Sequence, residues 1–204
     1  MIQNICIYYL PYSGGKFVSH CLSLSRHVIM DSINTVQKEL AFNDCNQDYY
    51  AFKINAILGI VPDTPLKNWY EGDTNIPESL YRAVYSKNKK ICRIAHSNQQ
   101  VNDYRDLYKD LLICKLVNFN RFNILSYTLK ANQENPVHIA SVNAGSWIQQ
   151  SLPADIEFDI DQAIYNQNSF ILQMKKLYDF FELDDFREDL LLQYYQKYLK
   201  WHNL

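Results

Sequence analysis

The stretch that decides the fold runs from Ile5 to Ser25 and reads ICIYYLPYSGGKFVSHCLSLS. Its first part is a short apolar run that stops at Pro11, and such runs are typical of strands covered on both faces in parallel sheets. From Lys16 to Arg26 the apolar residues recur at spacings of four and three, which is the period of a helix. The stretch therefore predicts a buried strand, a tight turn and a helix.

The turn between them, Ser13-Gly14-Gly15, is a candidate anion site. A parallel strand that enters a helix through a glycine loop gathers several backbone N–H groups at one point, and the helix dipole adds to their attraction for an anion. A side chain at either glycine could block close approach or forbid a positive φ. Lys16 adds a formal positive charge. We favour a phosphate or sulfate group held on backbone amides over the alternative of an ordinary strand–helix turn.

Beyond this unit, apolar runs and helical spacings alternate along the chain. We predict strands at 28–30, 91–95, 111–119 and 156–160, the last of them near a sheet edge. We predict helices at 36–59, 77–86, 104–109, 121–132, 169–181 and 186–201, and the first of these has a break at 43–48. Strands that alternate with helices indicate an α/β fold with a central, mostly parallel sheet flanked by helices. The last two helices would form a C-terminal cap. Without a linker or a repeat, the chain is expected to be one domain over 1–204.

The composition describes a globular chain with no basic surface for nucleic acid. Of 204 residues, 48% are apolar and 21% charged, with a formal net charge of −2. The start lacks a secretory signal, and no apolar run approaches the ~18 residues that span a bilayer. The five cysteines show no C-x-x-C spacing, and Cys6, Cys92 and Cys114 fall within expected strands. We therefore expect a cytoplasmic protein with no metal, no nucleic acid and no membrane partner.

The Walker A loop, G-x-x-x-x-G-K-[ST], is the first comparison for the turn. Gly15 and Lys16 match its G-K, but Leu10 stands at the first glycine and Phe17 at the final hydroxyl, which binds Mg²⁺. Without that hydroxyl, nucleoside triphosphate chemistry loses a metal ligand on which it depends. An atypical P-loop nucleotide or nucleoside kinase is therefore only an alternative.

The segment PYSGGKF, from Pro11 to Phe17, resembles the P-x-S-G-[TG]-[TS]-[WF] loop of the sulfotransferases that use 3′-phosphoadenosine 5′-phosphosulfate (PAPS). The resemblance implies a three-layer P-loop-type fold that needs no metal. It also implies that Ser13 to Phe17 hold the phosphosulfate, with the Phe17 ring near the adenine. The family's lysine, which stabilises the leaving oxygen, has Tyr12 in its place here, so Lys16 is the expected substitute.

A second point of resemblance is His96, in the segment RIAHS at 93–97, where the strand predicted at 91–95 ends. In the family, a histidine at a strand end is the general base that acts on the acceptor hydroxyl. Ligands meet parallel sheets at such ends, and an imidazole with a pKa of about 6.5 suits a base at cellular pH. A histidine bonded at the sheet rim is the alternative. The other four histidines are expected to be structural or solvated.

A third point of resemblance concerns the 3′-phosphate, which the family grips with an arginine after a strand and a serine eight residues on. Here Asn118 holds the arginine position and Ser126 the serine position. Arg121, three residues after Asn118, could reach the same phosphate through its planar fork. A helix-surface role for Ser126 stays open.

Together these points of resemblance to the sulfotransferases imply a metal-independent transfer of a sulfuryl group from PAPS to a hydroxyl of a small molecule or glycan. Tyr12 and Asn118 replace the two usual cationic positions. A non-catalytic P-loop protein that binds phosphate or a nucleotide is therefore the main alternative. The acceptor and the possibility of a homo-oligomer stay open.

Overall fold

The computed structural model describes residues 4–9, 14–30, 52–53, 55–61, 90–117 and 153–202. In chain order these residues form β1 (Asn4–Tyr8), α1 (Gly15–Ser23), β2 (Val28–Met30), β3 (Lys90–Ala95), α2 (Asn98–Leu107), β4 (Leu111–Val117), β5 (Ile156–Asp159), α3 (Ile160–Tyr165), α4 (Gln167–Phe180) and α5 (Glu188–His202). Residues 52–53 and 55–57 are also helical.

The strands form one parallel sheet in the order β2-β3-β1-β4-β5. β1 lies in the centre, where Tyr8 pairs with Ala95 of β3 on one side and with Lys115 of β4 on the other. The carboxyl ends of these three strands therefore meet at one edge of the sheet. The prediction of a parallel sheet with an edge strand at 156–160 is confirmed.

Side chains of β1 alternate between two apolar clusters, one on each face of the sheet. Ile5 and Ile7 pack with α1, α4 and α5, whereas Cys6 and Tyr8 pack with α2. Helices thus cover both faces, which confirms the predicted three-layer α/β architecture. The described residues include four free, buried cysteines: Cys6, Cys21, Cys92 and Cys114. All but Cys21 lie in strands, as predicted.

The prediction of a short helix at 104–109 was wrong in its bounds, because α2 begins six residues earlier and ends at Leu107. The Ser97 side chain caps this helix by accepting the Gln100 N–H at 3.2 Å. Its first residues are polar, and only Val101 and Tyr104 are buried. Apolar spacing therefore could not reveal where the helix starts.

The C-terminal helical pair is confirmed, with α4 and α5 separated at 181–187. The short helix α3 was not predicted. The predicted helices at 77–86 and 121–132, and residues 36–51 of the helix predicted at 36–59, lie outside the described residues. Among the helices of the described part, none is long and apolar enough to cross a membrane.

A buried lysine fixes the chain that follows α1, which ends at Ser23 and not at the predicted residue 26. Lys53 is 0% exposed, and its ammonium donates to the carbonyls of Ser23 at 2.9 Å, Val28 at 2.5 Å and Ser25. Ser23 ends the helix, Ser25 lies in the turn after it and Val28 begins β2. One ammonium therefore joins the end of the helix to the start of the next strand. Lys53 is thus a structural cation.

Candidate functional site

The turn into α1 depends on a glycine at position 14. Gly14 is the N-cap of the helix and has a φ of +83°, a conformation that glycine adopts at little cost. A Cβ there would also lie 3.1 Å from Cδ1 of Ile160, the first residue of α3. The backbone and the packing therefore both require a glycine.

Gly15 is required by a different contact. A Cβ at this position would lie 2.0 Å from Cδ1 of Tyr9, because the Tyr9 ring rests directly on the first turn of α1. Tyr9 follows β1 and is only 4% exposed. From the sequence, a glycine is expected here because it lets an anion approach closely. The structure gives a second reason, which is the packing of the Tyr9 ring against this position.

The first turn of α1 presents backbone N–H groups at the N-terminal end of the helix. The bond from the Val18 N–H to the Gly14 carbonyl, at 3.1 Å, spans the first full turn. The amides of residues 15–17 precede it and point out of the helix end. This turn contains no acidic residue, and it carries the half-buried Lys16. The end of the helix is therefore electropositive, as an anion site requires.

His96 leaves β3 beside this turn, at the same edge of the sheet. Its Nδ1 lies 3.1 Å from the carbonyl oxygen of Tyr9, and its backbone N–H donates to Oε1 of Gln100 at 2.7 Å. A carbonyl can only accept, so in the neutral imidazole Nδ1 carries the proton and Nε2 keeps its lone pair. A histidine held in this tautomer can act as a base through Nε2.

The surroundings of His96 favour its neutral form. Burial lowers the pKa of this imidazole, the bond to the Tyr9 carbonyl opposes that shift, and the charge of Lys16 lowers the pKa further, so that it lies below the ordinary value. The field of Lys16 reaches both His96 and His20. The structure therefore brings the two residues predicted to be catalytic, Lys16 and His96, within electrostatic reach of each other.

Phe17 does not lie where the sequence motif implies. Its side chain is 2% exposed, and its ring stacks on Tyr198 at 4.1 Å and on Phe170 at 5.5 Å between centroids. A ring enclosed by α4 and α5 cannot present a face to an adenine. The contact expected from the resemblance is therefore corrected to a core position that packs α1 against the C-terminal helices.

The remaining predicted site residues fall outside the described part of the chain: Ser13, Asn118, Arg121 and Ser126, together with Tyr12. Conversely, sequence reasoning missed Tyr9 and Gln100, the two residues that hold His96. The signal that could have revealed Tyr9 was the parallel pairing of β1 with β3. Since Tyr8 pairs with Ala95, the residues that follow them emerge side by side.

Tyr198 also approaches the turn from α5 and was not predicted to belong to the site. Its hydroxyl would lie 4.0 Å from a Cβ at Gly14. Its half-buried ring stacks on Phe17 at 4.1 Å between centroids, at the margin of the apolar core. Its position also makes it a neighbour of the helix N-terminus.

One side-chain group within the described residues has the spacing of a metal site: His27, Asp184 and Asp185, with ligand atoms within 4.8 Å of one another. These atoms already have partners. His27 Nε2 lies 2.7 Å from Asp184 Oδ1, and the Ser25 hydroxyl donates to Asp185 Oδ1 at 2.6 Å. The group lies after the C-terminus of α1, away from Gly14. We interpret it as an ion pair and a cap that fasten this end.

The sheet order, together with the glycine turn after the central strand, defines an α/β protein whose fold is consistent with the P-loop-like sulfotransferase fold. The chain is similar to the solved structure described as "Sulfotransferase Domain from the Curacin Biosynthetic Pathway". The two are 12% identical with a TM-score of 0.52, over 96% of this chain and 78% of that one. At this identity the similarity shows the fold alone. A scan against family models and a search of curated proteins found no match.

Proposed function

We propose that the protein is a metal-independent sulfotransferase that moves a sulfuryl group from PAPS to a hydroxyl acceptor. The observation that carries this proposal is the placement of Lys16 and His96 beside the N-terminus of α1. This is the edge of a parallel sheet at which ligands bind. The sulfotransferase-like fold supports the same assignment.

In this proposal the phosphosulfate end of PAPS, a co-substrate, binds at the turn. The amides of residues 15–17 and the Lys16 ammonium supply donors and positive charge, and Gly14 and Ser13 complete the loop. Asn118, Arg121 and Ser126 are proposed to bind the 3′-phosphate. A cytoplasmic location, suggested by the cysteine usage, belongs to the same proposal.

The proposed chemistry is a direct displacement at sulfur. His96 Nε2 accepts the proton of the acceptor hydroxyl while that oxygen forms a bond to sulfur. The bond between sulfur and the bridging oxygen of the 5′-phosphate breaks, and 3′,5′-bisphosphoadenosine leaves. Lys16 stabilises the negative charge that develops on the leaving oxygen. The acceptor is a hydroxyl of a small molecule or glycan, and no metal takes part.

Binding is the first test, measured as the melting temperature of the whole protein with 3′,5′-bisphosphoadenosine in the presence of a chelator. We expect a clear rise, since a ligand at 100 times its Kd stabilises a fold by about 2.7 kcal/mol. Lys16→Ala should weaken the effect, and Lys175→Ala, an exposed lysine on α4, should leave it unchanged. A shift with ATP and Mg²⁺ but none with the bisphosphate would contradict the proposal and favour the kinase alternative.

Transfer itself is the second test, with labelled PAPS and a panel of hydroxyl compounds. His96→Ala should reduce the rate by about 10²-fold or more, the usual contribution of a general base. His27→Ala, at the other end of α1, is the matched control. Bisphosphate binding without transfer, or transfer unaffected by both Lys16→Ala and His96→Ala, would favour a non-catalytic anion-binding protein.

A further inference from the structure

Tyr9 joins the central strand to the strand that carries the proposed base. Its N–H donates to the carbonyl of Ala95 at 3.1 Å, which continues the ladder between β1 and β3 by one residue. Its carbonyl then accepts from Nδ1 of His96 at 3.1 Å. The backbone of Tyr9 is therefore bonded both to β3 and to the imidazole that follows it.

The ring of Tyr9 fills the space between His96 and α1. Its centroid lies 4.5 Å from that of the imidazole in an edge-to-face arrangement. On its other side the ring rests on Gly15, where a Cβ would come within 2.3 Å of three ring atoms. One buried side chain thus contacts both the base and the turn that is proposed to bind the anion.

We propose that Tyr9 is a positioning residue that holds His96 in the tautomer of a base and couples it to the first turn of α1. Its carbonyl keeps the proton on Nδ1, and its ring prevents the imidazole from rotating. A displacement of the turn moves the ring, and the ring moves the imidazole. This inference rests on the proposed function for the role of His96 as a base, whereas the tautomer and the coupling are measurable without any substrate.

Among the described residues, two groups besides Tyr9 face His96 from the elements around it, and their effects must be separated from that of Tyr9. Lys16 on α1 contributes positive charge, Gln100 on α2 accepts the backbone N–H, and Tyr9 itself supplies the carbonyl. Neither Lys16 nor Gln100 is altered in the variants below. A change at His96 can then be attributed to the Tyr9 ring.

The test is NMR of the full chain with ¹⁵N-labelled histidine, recorded as a pH titration. Tyr9→Phe keeps the ring and should retain the wild-type nitrogen shifts of His96, with the proton on Nδ1. Tyr9→Leu removes the ring, so a mixture of tautomers is expected, with the pKa of His96 closer to the ordinary value of about 6.5. Tyr178→Leu removes a buried tyrosine of α4 and should leave the His96 signals unchanged.

Gly15→Ala provides a second, independent perturbation, because its Cβ must push the Tyr9 ring away. We expect the His96 signals to shift in the direction expected for Tyr9→Leu, toward a mixture of tautomers. Gly15→Ala thus keeps the inference testable if Tyr9→Leu is too unstable to study. Unchanged His96 signals in a folded Tyr9→Leu or Gly15→Ala protein would overturn the inference.

Activity separates this inference from the proposed function. If both hold, Tyr9→Leu lowers kcat at least about tenfold with a smaller change in KM for PAPS, and Tyr178→Leu does not. Altered His96 signals in a protein that transfers no sulfuryl group would support the coupling and refute the proposed function. Transfer with unaltered His96 signals would refute the coupling and support the proposed function.

Discussion

Mild acid should destabilise this fold through His20, a buried imidazole on α1. The residue is 3% exposed, its Nδ1 lies 2.9 Å from the Tyr194 hydroxyl, and its ring centroid is 5.6 Å from that of Phe52. Burial lowers the pKa of His20 to about 3, and the charge of Lys16 contributes to the same shift. The folded protein therefore keeps this imidazole neutral at pH values where the unfolded chain protonates it.

The size of the effect follows from the two pKa values. In the unfolded chain the pKa of a histidine is about 6.5, against about 3 in the fold. Between these values the unfolded state binds more protons, so stability falls as the pH falls, by about 1.4 kcal/mol per pH unit. Lowering the pH from 7 to 5 should thus remove about 2 kcal/mol through His20 alone, and the loss levels off below the folded pKa.

The measurement is urea unfolding of wild type and His20→Gln at pH 7, 6 and 5. Glutamine does not titrate in this range and keeps a polar group near Tyr194. The wild-type advantage in unfolding free energy over the variant should shrink by about 2 kcal/mol from pH 7 to pH 5. His27→Gln changes a partly exposed histidine beyond the end of α1 and should leave the pH dependence due to His20 in place. Parallel stability curves for wild type and His20→Gln would refute the reasoning.

Three further substitutions test other features of the structure by urea unfolding. Lys53→Met leaves three carbonyls without the buried ammonium and should cost at least about 3 kcal/mol; a loss below about 1 kcal/mol would contradict the structural role. Ser97→Ala removes the cap of α2 and should cost about 1 kcal/mol, with Ser97→Asp close to wild type; equal loss in both variants would exclude capping. Phe17→Leu should lower the free energy of unfolding by about 1–2 kcal/mol without changing the Kd of bisphosphoadenosine. A tenfold weaker Kd would contradict the core role and support a contact between Phe17 and the adenine.

The sheet could be predicted because its strands carry a strong local signal. β1, β3 and β4 are short, mostly apolar runs covered on both faces, and such runs are typical of strands in a parallel sheet. The start of α2 could not be predicted, since a polar helix that buries only two side chains shows no apolar period. For α3, six residues are too few to establish a period at all.

The candidate site was predictable to the extent that chain order determines it. The glycine turn follows the central strand and His96 directly follows the neighbouring parallel strand, so both had to reach the same edge of the sheet. A motif position, however, contains no information on burial. Phe17 occupies the aromatic position of the family loop, yet its ring points into the core. Tyr9 was overlooked because it contacts His96 through its carbonyl and the packing of its ring, and these contacts follow from the pairing of β1 with β3, not from a motif.

The charge of Lys16 connects the two halves of the proposed site. It lowers the pKa of His96, and in the proposed reaction it would also attract the anionic donor to the N-terminus of α1. A base must be unprotonated before the acceptor arrives, and burial together with this lysine ensures that at neutral pH. The usual family lysine position holds Tyr12 here, so one lysine beyond the glycines would have to serve both purposes. A bound anion would offset that charge and strengthen His96 as a base at the moment the donor is in place, since the pKa of the imidazole would rise toward its ordinary value.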